Sequence, residues 1–217
     1  MRAVLRNLYN WFVSNLWPEN VEYSNVDNFS LKVIEKPNAQ LFESMQRELL
    51  SKGKTFSIRV KGYSMRPFLE DRRDMVTIKA VDSVKVGDVV LAQIAPLRYV
   101  LHRVIVKDGN NLVLMGDGNL YGKEYCRTQD VLGKAIEFKY GKVCKVTLDS
   151  GEVRYRLDFS DSRTLFCDED KKYIRRYTMW VRMVRWRRWF LAVYRRLPSI
   201  KLTVKYMDEI DKQNKNI

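Results

Sequence analysis

"GDVVLAQIAPLRYVLHRVIVKDGNNLVLMG", Gly87 to Gly116, decides the fold. It contains three short apolar runs, "GDVVLAQI", "RYVLHRVIV" and "NLVLMG", rich in the branched side chains that suit a pleated, half-buried surface. Between Val106 and Leu112 lies "KDGNN", and Gly and Asn accept the backbone conformations that a tight hairpin demands. The same texture extends outward, from "TFSIRV" and "DMVTIKAV" upstream to "VLGKAIEFKYG" and "KVCKVTL" downstream, with "KYGK" near Gly141 reading as a second hairpin. Seven such runs between Thr55 and Asp149 predict a mainly β domain, a coiled, barrel-like antiparallel sheet. Flanking amphipathic helices make the chain α+β overall.

Those helices bracket the strands. Residues 4–17 place Leu5, Leu8, Tyr9, Phe12 and Leu16 on one face and stop at Pro18. A polar connector follows, and "AQLFESMQRELLSKG" sets Leu41, Phe42, Met45 and Leu49 at helical spacing. Beyond Ser150, "EVRYRLDF" alternates like one more strand, and Lys171 to Leu197 reads as one long helix ending before Pro198. Its wheel gathers Met179, Met183, Trp186, Phe190, Val193, Tyr194 and Leu197 opposite Arg182, Arg185, Arg188, Arg195 and Arg196, with Arg187 and Trp189 out of pattern. The expected organisation is an N-terminal helix and connector over 1–38, a β domain over 39–150, and a C-terminal strand and basic helix over 151–217.

Charge separates the tail from the body. The 217-residue chain carries 40 Lys or Arg against 26 Asp or Glu, a net +14. Residues 171–207 hold 12 of those cations and no acid, so this segment alone accounts for +12. A basic segment beside a nearly neutral body points to an anionic partner. A hydrophobic content of 46% excludes a disordered chain. Cys126, Cys144 and Cys167 have no metal-ligand spacing and form an odd set, so they read as free thiols, and no metal or cofactor is expected. The first twenty residues lack the pattern of a cleaved leader, which makes a cytoplasmic location the expectation.

Chemistry enters with "KGYSMRPFLEDRRDMV", Lys61 to Val76, which sets Ser64 in a turn-like Gly-x-Ser-Met-x-Pro context. The only histidine of the chain, His102, follows 38 residues later inside a candidate strand, and Asp117 comes in "MGDGN" at the end of the next. Singly, each has an ordinary reading: a turn serine, a packed strand histidine, a hairpin aspartate. Together they lie at three strand edges of one β domain, where a nucleophile, a base and an orienting carboxylate can converge.

In order, "GYSMRP", "VGDVV", "LHRVI", "MGDGN" and "VLGKAIEF" resemble the signal peptidase and SOS-repressor serine peptidase superfamily over roughly Ser57 to Phe138. The resemblance implies Ser64 as nucleophile, His102 as general base and Asp117 as the carboxylate supporting the imidazole. Within "GDGNLYGKEYC", Glu124 is the one further acid shortly after that motif. The turn would comprise Gly62, Ser64, Met65 and Pro67, with the Ser64 N–H in the oxyanion hole and no side-chain donor at Gly62. Leader peptidases and SOS repressors use a lysine base, whereas the endoplasmic-reticulum and archaeal signal peptidases use histidine, so with "HRV" the chain resembles the histidine branch. A lysine base must fall about 3 units from its usual ~10.4, roughly 4 kcal/mol of desolvation, whereas histidine starts near ~6.5. A histidine site therefore tolerates more water.

The implied function is a signal-peptidase-like endopeptidase acting on a peptide or protein substrate. Two alternatives stand beside it. A repressor-like self-cleaving regulator needs an Ala-Gly or Cys-Gly bond, and the chain has neither. A non-catalytic membrane or nucleic-acid adaptor would leave the serine and histidine unused.

For the basic helix, spanning a bilayer would bury Arg182, Arg185, Arg187 and Arg188 at ~2.5–3.5 kcal/mol each. Lying flat, the arginines gain up to ~1 kcal/mol apiece at an anionic leaflet. Trp180, Trp186 and Phe190, with Arg182, Arg185 and Arg188, are thus the expected membrane-contacting residues. A helix packed on the β domain is the alternative, and nucleic acid is the weaker partner.

Overall fold

The computed structural model describes residues 54–148 and 150–215. The N-terminal helix, the connector and the helix expected before Gly53 lie outside them.

Eight strands form one antiparallel sheet: β1 (Thr55–Arg59), β2 (Met75–Lys79), β3 (Val89–Ala95), β4 (Arg98–Asp108), β5 (Asn111–Met115), β6 (Glu124–Arg127), β7 (Val131–Thr147) and β8 (Val153–Phe166). The order is β1-β2-β7-β3-β4-β5-β6, with β8 also on β7. The sheet is mainly antiparallel as the sequence predicts, but β1 and β6 stand at its two ends, so it is not a closed barrel. β7 organises it: one edge carries β2, and the other carries β3 through Val131–Lys134 and then β8 from Glu137 onward. Residues 153–166 therefore share the sheet with residues 55–147.

Two strand readings change. The hairpin expected at "KYGK" does not form, and β7 runs straight through Gly141 with an irregularity between Tyr140 and Lys142. A side chain at Gly141 would collide with the Arg73 carbonyl and the Phe159 ring. This glycine thus marks a close approach, not a turn. β6, too short and polar to announce itself, adds to β5 through Leu112↔Cys126 and Leu114↔Glu124. The hairpin at "KDGNN" is as expected, closed by Asp108↔Asn111 with Gly109 at φ 54°.

Among the described residues, apolar side chains gather in two places. Val84, Val90, Ala92, Val104, Leu112 and Leu114 fill the interior between β3, β4 and β5. The second lies under the C-terminal helices α1 (Lys171–Arg182), α2 (Val184–Arg196) and α3 (Pro198–Lys215). Tyr173 of α1 meets Phe68 and Phe138 edge-on at 5.8 and 5.5 Å, and Trp180 meets Phe68 at 6.3 Å. α3 lies along β8, with Tyr206 stacked on Tyr155 at 4.6 Å.

The long helix expected over 171–197 is broken at Met183, which closes α1 and opens α2. No proline or glycine causes the break. The Trp180 carbonyl instead accepts from the Arg187 guanidinium at 3.2 Å, a side chain intruding on the helical ladder. Each half then has its own buried stripe, Tyr173 and Trp180 in α1 and Arg187, Leu191 and Tyr194 in α2. Arg187, which breaks the single-helix wheel, is thereby a buried residue. Among the described residues no helix is long and apolar enough to cross a membrane.

Candidate active site

The serine loop leaves β1 at Val60 and returns to β2 at Met75. Its neck is closed by Val60 N–H to the Asp74 carbonyl at 2.8 Å and Arg72 N–H to the Val60 carbonyl at 2.7 Å. Gly62 takes φ 93°, a conformation costly for any side chain, and donates its N–H to the Asp71 carboxylate at 2.6 Å. Beyond Ser64, Met65 and Leu69 plug the core, and the Arg66–Pro67 peptide is cis.

The charges behind the serine are a buried scaffold. Glu70 and Asp74 are fully buried. Glu70 accepts from Arg66 Nε at 2.8 Å and offers its N–H to Asp74 at 2.7 Å, while Arg73 Nε and Nη2 reach Asp74 at 2.6 and 2.8 Å. Burial pushes the Asp74 carboxyl above its usual range, opposed by Arg73. Charges at such depth persist only when paired, so this network fixes the loop's shape.

Ser64 rests on the turn after β5. Gly118 donates its N–H to the Ser64 carbonyl at 2.6 Å, and Asn119 closes the turn onto the Gly116 carbonyl at 3.0 Å. A Cβ on Gly116 would stand 2.5 Å from the Ser64 carbonyl oxygen and 2.9 Å from Ser64 Cβ. Both glycines of "GDG" are required for this approach. Since Arg103 pairs with Met115 across β4 and β5, extending the register by one sets Gly116 opposite His102. Residues paired across two strands turn their side chains to one face, so Ser64 covers the face of Gly116 toward which His102 turns. Among the described residues no hydrogen bond engages the Ser64 hydroxyl or its N–H.

His102 is 5% exposed, and its Nδ1 lies 2.9 Å from Glu124 Oε2. A carboxylate only accepts, so Nδ1 is the ring nitrogen that donates in this contact, and Nε2 is the nitrogen Glu124 leaves unused. The carboxylate on the imidazole is therefore Glu124, from β6.

Asp117 is engaged elsewhere. Both its oxygens receive Arg103, from Nε at 2.8 Å and Nη2 at 2.6 Å, deep in the interior. The Arg103 guanidinium also donates to the Gly87 carbonyl at 2.6 Å and the Tyr173 hydroxyl at 3.0 Å, and packs over the Tyr177 ring at 4.6 Å. Consecutive strand residues face opposite ways, so His102 and Arg103 divide the two carboxylates between them. Asp117 shapes the turn under Ser64 without touching the imidazole.

The expected membrane-contacting residues also separate. Trp180 is 4% exposed, its indole N–H spent on the Asp117 carbonyl at 2.9 Å, and Phe190 packs against Trp180 and Trp189. Trp186, 64% exposed, and Trp189, 39% exposed, face outward with Arg182, Arg185 and Arg188. Trp180 belongs to the core because each half-helix turns its own stripe inward. Among the described residues no cluster of His, Cys, Asp and Glu is arranged to hold a metal.

No curated protein matches the chain. Ser64, His102, Asp117 and Glu124 all fall inside a stretch, residues 30–136, that matches a family described as Peptidase S24-like, while β8 and the three helices lie beyond it. The match supports placing this part of the chain in the superfamily of S24-type serine peptidases and self-cleaving repressors.

Proposed function

We propose that the protein is a serine endopeptidase of the histidine-base, signal-peptidase-like kind, with Ser64 as nucleophile, His102 as general base and Glu124 as the carboxylate that orients the imidazole. The observation that carries the reading is the His102–Glu124 contact at 2.9 Å beside the turn that holds Ser64. Ser64 Oγ attacks the scissile carbonyl as its proton passes to His102 Nε2, and Glu124 stabilises the imidazolium so formed. The Ser64 N–H receives the oxyanion. Collapse of the tetrahedral adduct breaks the C–N bond, and His102 hands its proton to the leaving amine. Water, activated by the same imidazole, then hydrolyses the acyl-enzyme and restores Ser64.

Ser64→Ala and His102→Ala test this directly. The wild-type protein should cleave unstructured peptides and take up a fluorophosphonate on Ser64, and both variants should fold yet lose each activity by at least ~1,000-fold. Full cleavage by Ser64→Ala would overturn the assignment.

The same enzyme works at an anionic membrane surface, supported by Trp186 and Trp189 exposed among Arg182, Arg185 and Arg188. The Trp186→Ala/Trp189→Ala protein should bind phosphatidylglycerol vesicles at least about tenfold more weakly. Equal binding to neutral vesicles would remove the electrostatic part of this reading.

A further inference from the structure

The C-terminal helices lie outside the matched peptidase segment, yet they reach into the loops that carry the site. Trp180 of α1 donates its indole N–H to the carbonyl of Asp117 at 2.9 Å. Asp117 is the middle residue of the Gly116–Gly118 turn, whose Gly118 N–H holds the Ser64 carbonyl. The path from Trp180 to the serine backbone therefore runs through one turn and two hydrogen bonds. Tyr194 of α2 donates to Glu70 Oε2 at 3.1 Å, the carboxylate around which the serine loop is folded. Arg72 of the same loop reaches α3, meeting Asp208 at 2.8 Å and Asp211 at 2.5 Å. Every helix of the extension thus grips either the serine loop or the turn beneath it.

We infer that Trp180 is a positioning residue for Ser64, and that α1, α2 and α3 form a clamp that completes the catalytic centre. The inference rests on the peptidase reading for its kinetic consequence, but not for its structural one. Neither donor touches substrate. Each closes a polar group that the matched segment leaves open: the buried Asp117 carbonyl of the glycine turn for Trp180, and the second oxygen of buried Glu70 for Tyr194. A carbonyl deprived of its donor at this depth is re-satisfied only by movement, and the turn that moves carries the Ser64 backbone with it. Glycine at 116 and 118 lets the turn approach the serine but gives it no side chain with which to hold itself there. The restraint has to come from a neighbour, and α1 supplies it.

The test uses the full chain with Trp180→Phe, Tyr194→Phe and Val84→Ala. Tyr194→Phe removes one hydroxyl and keeps the buried ring, so it folds. Val84→Ala destabilises the β core away from the clamp. At 25 °C, with all proteins folded, Trp180→Phe should lower kcat on a peptide substrate about tenfold with KM within about twofold, and slow fluorophosphonate labelling of Ser64 in proportion. Tyr194→Phe should do the same to a smaller extent, and Val84→Ala should lower Tm with kcat unchanged. Amide exchange at Gly118 should quicken at least about fivefold in Trp180→Phe and not in Val84→Ala. Unchanged kcat and labelling in Trp180→Phe, or an equal fall in Val84→Ala, would overturn the inference. If the wild type neither cleaves nor labels, the peptidase reading fails, and Gly118 exchange still decides the clamp: unchanged protection in Trp180→Phe refutes it.

Discussion

Exchanging the two carboxylates one at a time separates the one that serves the imidazole from the one that serves the fold. In Glu124→Gln the anion opposite His102 Nδ1 becomes a neutral amide of the same size. Two unit charges ~4 Å apart at an effective dielectric near 20 interact by ~4 kcal/mol. The Glu124 side chain is 19% exposed, so solvent screens part of this, and the amide oxygen can still accept from Nδ1. The net loss is about 2–3 kcal/mol, felt when His102 becomes an imidazolium, or roughly 30- to 150-fold in kcat. Tm should move by no more than ~2 °C. In Asp117→Asn the Arg103 guanidinium, 1% exposed, keeps its charge but loses its anion, at a cost of about 3–5 kcal/mol. At ~2–4 °C per kcal/mol for a chain of this size, Tm falls by about 6–20 °C. The assay pairs peptide hydrolysis with fluorophosphonate labelling of Ser64 and thermal unfolding. Full activity in Glu124→Gln, together with lost activity at unchanged Tm in Asp117→Asn, would reverse the two roles and refute the reasoning.

Three further outcomes follow from particular contacts. Gly116→Ala drives a methyl to within 2.5 Å of the Ser64 carbonyl and should cut labelling of Ser64 at least ~100-fold, measured by the rate of fluorophosphonate uptake. Arg187 is buried with Nε lacking a partner among the described residues, and burial lowers its guanidinium's affinity for the proton. Arg187→Met should therefore leave Tm unchanged or raise it by a few degrees, about 1–2 kcal/mol, in a thermal melt. Burial pushes the Cys167 thiol up to about 12 from its ordinary 9.0, so the folded state binds that proton more tightly than the unfolded chain. Its contribution is complete below pH ~9 and is lost as pH rises from there toward 12. Tm should decline over that window more shallowly in Cys167→Ala than in the wild type.

Strands β1 to β5 were legible because each alternates or runs apolar between turn residues, and the register of the sheet follows that pattern. β6 was not, because "EYCR" is four residues with two charges, and only its pairing to β5 makes it a strand. Gly141 misleads for a related reason: a glycine needed for close approach to Arg73 and one needed for a turn look alike in a sequence. The break at Met183 has no helix-breaking residue to announce it and comes from a tertiary contact of Arg187, so a wheel drawn over 171–197 mixes two phases. At the site, the single histidine left no choice of imidazole, while the carboxylate depended on which acid Arg103 would take. Arg103 and His102 are neighbours in sequence and opposite in direction. Only the three-dimensional position of β6 tells that Asp117 goes to the arginine and Glu124 to the imidazole.

The pairing of His102 with Glu124 also bears on a lysine as base, the choice of the SOS repressors. A lysine at 102 would meet Glu124 across a short, half-screened gap, and an adjacent carboxylate stabilises the ammonium form. Its pKa would be held near or above its ordinary ~10.4, leaving under 1% of the amine free at neutral pH. A lysine at 102 would give up its proton only where burial acts without a compensating anion, so residues 102 and 124 have to change together. His102→Lys alone should then be as inactive toward a fluorophosphonate as His102→Ala at pH 7.5. His102→Lys combined with Glu124→Leu removes the anion and adds apolar cover, and should regain at least about tenfold in labelling rate, with a pH profile rising toward pH 9. If His102→Lys alone were as reactive as the wild type, Glu124 would have no hold on residue 102. The 2.9 Å contact would then be packing, not chemistry.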